Sequence, residues 1–562
     1  MAGNDPQLLR EDVLEPVIAV LARQAAGGDG EDAAHDAAEA RRALRATCRR
    51  CCAAVDAACE ALSFCGPDVC TVLAHAAARP VRRPRVRRVQ IMAPSDVHGH
   101  SEASTLAADV AEAYCSRLET LDFDHGTADP LLLRLAGLAA AGRLPRLTML
   151  ELAAARLSVS IGGRAPLEAL AALTSLSLRG RIDDGGGPGT GPAPMWLPTG
   201  LQRLQLEGPD PLSHPSPRAG MGCSSWLKVV AACGRLECLD LRWLASADLG
   251  LGAGEAVASE EDDDADCGLC CAYAAIGKLT ALTELTGVVA DCNDCTSEPI
   301  EFEASRLLPL LPRIRRLTLY TSEEGEYGPP FAAVCGASLQ DVVSAAPALE
   351  ALALTVTDER PGAALAGAPR LPRLRELHLS GRGDAFAAAP APAPGCGRAA
   401  AAPVPALLAA LLPAVDRLII GNDQGFGAFV PVDLWPLVAL PSLERLTLAF
   451  AAIDAPDLVP PLSPGLADRP SGPGAGAPLR EVVLHECKIR RAAHLTQLAA
   501  TPRLERVHVA GCIGNMDEGD GGTDAFSVFA RELEREAAAR GSGALMVAAD
   551  DYGPDPSLLK FW

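Results

Sequence analysis

Residues 371–381 read LPRLRELHLSG, and the apolar positions Leu374, Leu377 and Leu379 within them decide the fold. Leu377 and Leu379 alternate with polar neighbours, the period of a strand with one buried face. Ahead of another such triplet, VPALLAALLPAV (404–415) places Leu407, Leu408, Leu411 and Leu412 at helical spacing, and Pro413 ends that helix. Strand and helix therefore alternate along the chain. Neither can hide its apolar face alone, so each coil must stack on the next.

The pattern L-x-x-L-x-L, with conservative replacements, starts at Val86, Leu118, Leu147, Leu173, Leu201, Leu236, Leu282, Ile314, Leu349, Leu374, Val415, Leu443, Leu479 and Leu504. These copies recur about every 32 residues, a period that marks a repeat architecture. In two of them the pattern extends further: Leu479, Val482 and Leu484 are followed by Cys487 and Ile489, and Leu504, Val507 and Val509 by Cys512. The extended pattern resembles the leucine-rich repeat family, in the cysteine-containing subclass common among F-box proteins. The resemblance runs over residues 81–513. It implies an α/β solenoid with a curved parallel sheet on the concave side and helices on the convex side. The copy at Leu282 departs from the pattern, with Gly287 where its third apolar residue belongs.

Composition agrees with a large aliphatic core, because 49% of the 562 residues are hydrophobic and only 4% aromatic, which excludes a disordered chain. The formal net charge of −21 argues against nucleic-acid binding, since neutralisation of phosphates by Lys and Arg supplies most of that affinity. The opening MAGNDPQLLREDVLEPVIAVLARQ has early acidic residues and no apolar run before a small-residue cleavage site, so no secretory signal is expected. No stretch approaches the ~18 consecutive apolar residues of a membrane span, and no membrane partner is expected. The 19 cysteines are then expected in a reducing compartment, mostly as small core residues. The expected location is cytoplasmic, with the ciliary axoneme or nucleus as alternatives.

Between the triplets lie Gly/Pro/Ala-rich or acidic insertions at 183–194, 245–266, 386–402 and 463–478, expected as loops on the outer rim. The run Glu260 to Asp264 lacks the spacing of a cation-binding loop and reads as a solvated segment. The expected division is a helical module at 1–65, a linker at 66–80, the solenoid at 81–513, and a C-terminal capping helix and tail at 514–562.

In the N-terminal module, Leu9, Val13, Leu14, Val17, Ile18 and Leu21 form a helical stripe, and residues 37–63 form a second one through Leu44, Cys48, Cys51, Cys52, Val55, Cys59 and Leu62. Two amphipathic helices ahead of a leucine-rich solenoid resemble an F-box, with LREDVLEPVIAVL and LRATCRRCCAAV in place of its two motifs. Arg10 stands where that family has proline and Cys51 where it has tryptophan. The resemblance implies docking on a Skp-type adaptor of a cullin ubiquitin ligase through Leu9, Val13, Leu14, Val17 and Ile18. The alternative is a helical cap on the first coil.

Cys267, Cys270, Cys292 and Cys295 form two CxxC pairs at a spacing close to four-cysteine zinc sites. The competing reading is cysteine used as a small residue, as in the neighbouring pairs Cys51-Cys52 and Cys270-Cys271. The arginine-rich run from Pro80 to Val89 resembles a nuclear-import or anion-binding patch, yet Val86, Val89 and Ile91 occupy triplet positions, so its arginines also read as solvent-facing residues of that coil. No nucleophile, base or oxyanion constellation is recognisable, and neither enzymatic activity nor a cofactor is expected.

What remains is surface. Residues flanking the inward leucines line the concave face. In the later coils these are Arg316, Tyr320, Glu376, His378, Arg417, Arg445, His485, Arg506 and His508; in the earlier ones Asp122, Asp124, Glu151 and Asp240. An acidic first half and a basic, histidine-bearing second half suit a protein or peptide partner. The expected function is an F-box-type substrate receptor that binds a protein target on this face. The alternative is a structural leucine-rich repeat protein of a ciliary or cytoskeletal assembly.

Overall fold

The computed structural model describes residues 60–65, 69–77, 85–92, 100–124, 127–158, 161, 165–183, 197–207, 229–241, 275–290, 307–321, 333–334, 342, 344–356, 371–381, 414–422, 430–432, 437, 440, 442–453, 479–485, 487–489, 503–510, 513–514, 535 and 546–550. It divides into two units, residues 1–214 with 228–236, and residues 215–227 with 237–562.

The first unit holds strands β1 (Ala61–Cys65), β2 (Arg88–Met92), β3 (Thr120–Asp124), β4 (Met149–Ser158), β5 (Ser175–Asp183) and β6 (Arg203–Glu207), paired in parallel in chain order. Register brings the second apolar position of each triplet into one row, Leu62, Val89, Leu121, Leu150, Leu176 and Leu204. The third forms another, Phe64, Ile91, Phe123, Leu152, Leu178 and Leu206, and both rows are buried. Between strands run helices α1 (Val69–Ala77), α2 (His100–Tyr114) and α3 (Asp129–Ala140), and the 3-10 turn Pro166–Ala169. Pro130 fits the first turn of α3, where its missing N–H costs nothing. Leu131, Leu132, Leu135 and Leu138 bury one face of that helix, and the free Leu131 N–H donates to Ser104 Oγ of α2 at 3.2 Å. On the far side of the coil, Ser158 Oγ donates to Asp129 Oδ2 at 2.9 Å.

The second unit repeats the device in β7 (Cys238–Asp240), β8 (Glu284–Ala290), β9 (Arg316–Thr321), β10 (Ala333–Val334), β11 (Ala351–Val356), β12 (Glu376–Gly381) and β13 (Arg417–Asn422). It continues through β14 (Val430–Val432), β15 (Arg445–Ala449), β16 (Ala451–Ile453), β17 (Glu481–His485), β18 (Lys488–Ile489), β19 (Arg506–Ala510), β20 (Ile513–Gly514) and β21 (Met546–Asp550). Strands β7, β8, β9, β11, β12, β13, β15, β17, β19 and β21 form one parallel series. Strands β14, β16, β18 and β20 form a second, shorter one. In both units the first two N–H groups of a rung converge on one carbonyl of the rung before. Thr148 and Met149 donate to Glu119 O, and Arg480 and Glu481 to Glu444 O.

The second apolar position of each of the fourteen triplets lies on one of these strands, five in β2 to β6 and nine in β7 to β19, so the leucine-rich repeat solenoid is the observed fold class. Three boundaries differ from expectation. Leu62, assigned to the helical stripe of 37–63, belongs to strand β1, and the stretch at 66–80 expected as a linker contains α1. The rungs also continue past residue 513 into β21, within the stretch expected to be a capping helix and tail. In β8 the register shifts between Thr286 and Val288, so Gly287 bulges and Val288 takes the place opposite Leu319 that the sequence pattern left empty. A second bulge in β4, between Ala153 and Arg156, requires glycine across from it. Gly180 has φ +115°, and a Cβ there would stand 1.7 Å from the Ala154 carbonyl oxygen.

Cys487 occupies the ninth position of its repeat, and its buried Sγ–H donates to Leu448 O of the preceding rung at 3.3 Å. The thiol ties coil to coil there. Cys512, the N-terminal module with Leu9, Val13, Leu14, Val17 and Ile18, the Leu407–Leu412 helix, and Cys267, Cys270, Cys292 and Cys295 lie outside the described residues.

Candidate interaction surface

Side chains that alternate with the buried rows project from the opposite face of each sheet. In the first unit the middle of each strand carries Ser63, Gln90, Asp122, Glu151, Ser177 and Gln205. All are polar, and all are at least partly exposed. Ser63 Oγ donates to Gln90 Oε1 at 3.2 Å, and Gln90 Nε2 donates to Asp122 Oδ2 at 3.0 Å, so an amide links two rungs by hydrogen bonds. Partial burial and the neighbouring Asp124 push the Asp122 carboxyl above its ordinary range, against the Gln90 hydrogen bond and Arg179. Partial burial and Asp122 do the same to Glu151. Asp122 and Glu151, two of the acidic residues expected on the earlier coils, thus lie opposite each other in register on this face. Asp240, grouped with these by sequence, lies in the second unit and is nearly buried.

The second unit presents a different face. At the equivalent mid-strand positions Asp240, Thr286, Ala353, His378, Ile419, Thr447 and Val483 are buried, and Thr318 and His508 are partly exposed. His378 is 4% exposed, and burial pushes its imidazole down to about 4, so it is neutral at pH 7. It is a residue of the wall's interior and does not face open solvent as the sequence pattern suggested.

The expected arginines open the strands, and they are largely engaged along their own row. Arg316 Nη2 and Arg417 Nη1 share Glu376, at 2.8 and 3.4 Å. Arg445 Nε lies 3.2 Å from Glu481 Oε2, with both side chains about four-fifths buried. Burial holds the Arg445 guanidinium below its usual range, and flanking Arg417 and Arg506 add repulsion against the pull of Glu481. His485 closes β17, where the edge of the Phe450 ring meets it at 5.7 Å between centroids. Burial and nearby His508 lower its affinity for a proton. Tyr320 is placed by register opposite Val289, and its side chain lies outside the described residues.

Sequence reasoning overlooked Glu481 and the buried set Ala353, Ile419, Thr447 and Val483. For three of these the signal was present. Ala353, Ile419 and Val483 are apolar between the second and third apolar positions of their triplets, where the first unit has only polar residues; Thr447 carries no such mark. Among the described residues, no group of three or more His, Cys, Asp or Glu side chains is arranged to hold a metal ion, and no helix is long and apolar enough to cross a membrane.

The repeated register is that of a leucine-rich repeat solenoid. No family model matches the chain, and no curated protein matches it significantly. Among solved structures it is similar to the TLR13–ssRNA13 complex, at 13% identity and TM-score 0.32, over 77% of this chain and 57% of that one. It is also similar to the plant peptide hormone receptor RGFR1 in complex with RGF2, at 12% identity and TM-score 0.28, over 77% of this chain and 60% of that one. The chain spans less than two thirds of either. Likeness this loose carries no argument about ligands; the fold rests on the register itself.

Proposed function

We propose that the chain is a non-enzymatic scaffold that binds a protein partner along the polar face of its coils, acting as an F-box-type substrate receptor of a cullin ubiquitin ligase in the cytoplasm. The observation that carries the binding role is the row Ser63, Gln90, Asp122, Glu151, Ser177 and Gln205: six adjacent polar side chains on parallel strands about 4.8 Å apart. Such a row offers hydrogen-bonding groups at regular intervals to an extended or helical partner. The adaptor-binding role is supported by the apolar spacing of LREDVLEPVIAVL and LRATCRRCCAAV.

A second reading, a structural leucine-rich repeat protein of a ciliary or cytoskeletal assembly, is favoured by the start of β1 at Ala61. That strand cuts into the stretch resembling an F-box and leaves a segment that leads directly into the first rung, as a cap does. The two readings separate in a pull-down with a Skp-type adaptor, using the full chain, Leu14→Asp with Ile18→Asp, and Gln90→Ala with Glu151→Arg. Capture of the adaptor that is lost only in the first variant supports the receptor. No adaptor capture, together with partners lost in the second variant, supports the structural role. Partners indifferent to both variants would refute binding by this face.

A further inference from the structure

One row of the second unit carries more positive charge than its own carboxylates balance. From β9 to β19 the residues that open the strands include Arg316, Glu376, Arg417, Arg445, Glu481 and Arg506, four guanidiniums against two carboxylates. Glu376 serves Arg316 and Arg417, and Glu481 serves Arg445. Arg506 is exposed and has no ion-pair partner among the described residues. The surplus of two is split evenly, one at the β9–β13 end and one at the β15–β19 end, where it resides on exposed Arg506.

Two further features of that end point to an anionic acceptor. Arg445 Nη2 is buried and has no hydrogen-bond partner among the described residues, although the side chain as a whole is 19% exposed. Buried donors are rarely left in that state, because an unmade hydrogen bond forfeits the full cost of desolvation. The floor beside it is Thr447 and Val483, both buried, so a carboxylate arriving there meets a guanidinium in a weakly screened setting. His508 shares the exposed side of β19 with Arg506 and adds a polar ring next to the charge.

We propose that the β15–β19 end of this wall binds an acidic segment of a partner protein, its carboxylates taken by exposed Arg506 beside the unpartnered guanidinium nitrogen of Arg445. This rests on the reading of the coils as a protein-binding scaffold and names the chemistry of one partner. A nucleic acid fits the same guanidiniums less well. A long polyanion must approach a chain of net charge −21, whereas a short acidic segment feels only charges within a Debye length of about 8–10 Å.

The test is fluorescence anisotropy of a labelled octaglutamate peptide with the full chain at 50 and 300 mM NaCl, beside labelled octaglutamine and a labelled oligothymidylate. Octaglutamate is expected to bind and octaglutamine not, with binding weakened at the higher salt. Arg506→Glu should weaken it by about tenfold or more, as expected for loss of a charge-assisted contact plus a new repulsion. Since Arg506 is exposed, an unchanged melting temperature will verify that this variant folds; Arg506→Lys, which keeps the charge, should retain most of the binding. Equal binding to the Arg506→Glu variant, no binding of octaglutamate, or tighter binding of the oligothymidylate overturns the proposal. Capture of natural partners separates the two levels of inference. Partners kept by Arg506→Glu but lost by Glu151→Arg overturn the acidic-segment assignment alone. Partners kept by both variants overturn the scaffold reading as well.

Discussion

In the first unit the mid-strand side chains are polar and meet solvent; in the second the same positions hold Asp240, Thr286, Ala353, His378, Ile419, Thr447 and Val483, all buried, with Thr318 and His508 partly exposed. The supporting rows are alike. Leu150 and Leu176 pair in one unit as Leu377 and Leu418 pair in the other, and the backbone bonds that start each rung follow the same rule. The residues that build the stack and the residues that give its wall a chemistry are thus separate sets. A leucine frame can present an exposed row or carry a largely buried one, and polarity between the second and third apolar positions does not by itself decide which, since His378 and Thr447 are buried.

The sharpest way to break this contrast is to place a charge at equivalent positions of the two walls. Val483→Asp, at a fully buried site, should cost about 3 kcal/mol or more, because the carboxylate is desolvated without a partner. Ser63→Asp, on an exposed site of the other wall, should stay within about 0.5 kcal/mol. Chemical denaturation of the two variants measures both, and equal costs would erase the distinction.

Acid should weaken the second unit next most strongly. The folded His378 has its pKa lowered to about 4 from 6.5, so between those values the unfolded chain binds a proton that the folded chain refuses. Stability is whole above pH 6.5 and falls as the pH drops toward 4, by about 2 kcal/mol between pH 7 and pH 5. Melting curves of the wild type and His378→Gln should diverge over that range, the variant showing the shallower loss.

A smaller effect compares the ties on the far side of the coils. Ser158→Ala in the first unit removes the bond to Asp129, and Cys487→Ala in the second removes the bond to Leu448 O; each should cost about 1 kcal/mol. Hydrogen exchange should place each loss near its own rung, as expected when coils contact only their neighbours. The smallest effect has the opposite sign. Glu151→Gln relieves a carboxylate raised by burial and by Asp122, and should stabilise by no more than about 0.5 kcal/mol at pH 7 after allowing for solvent screening. The gain should vanish as the pH falls through the ordinary carboxylate range, where both forms are uncharged.

Much of the frame was legible from the residues. The aliphatic triplets and their period announced a stacked strand repeat, and the second apolar position of each of the fourteen triplets lies on a strand. The ends were harder to read. Leu62 fits a helical stripe as well as a strand row, and only pairing with Val89 reveals which it joins. The rung at β21 lacks leucines, with Val547 opposite Val507 and Ala549 opposite Val509, so it carries no triplet to find. On the candidate surface, alternation identified Arg316, Arg417 and Arg445 as facing one way, but their partners are separated by tens of residues. Arg316 reaches Glu376 across an intervening strand that offers only Ala351.

The order of residues alone thus determined that aliphatic side chains recur with a strand's alternation at a coil's spacing, which obliges the chain to stack. Tertiary structure decided which charges cancel and which remain, whether an imidazole meets water, and how Gly287 yields its place to Val288. Periodicity is a local property that one chain segment carries by itself. Ion pairing, burial and register depend on distances between segments, and those exist only once the coils lie against one another.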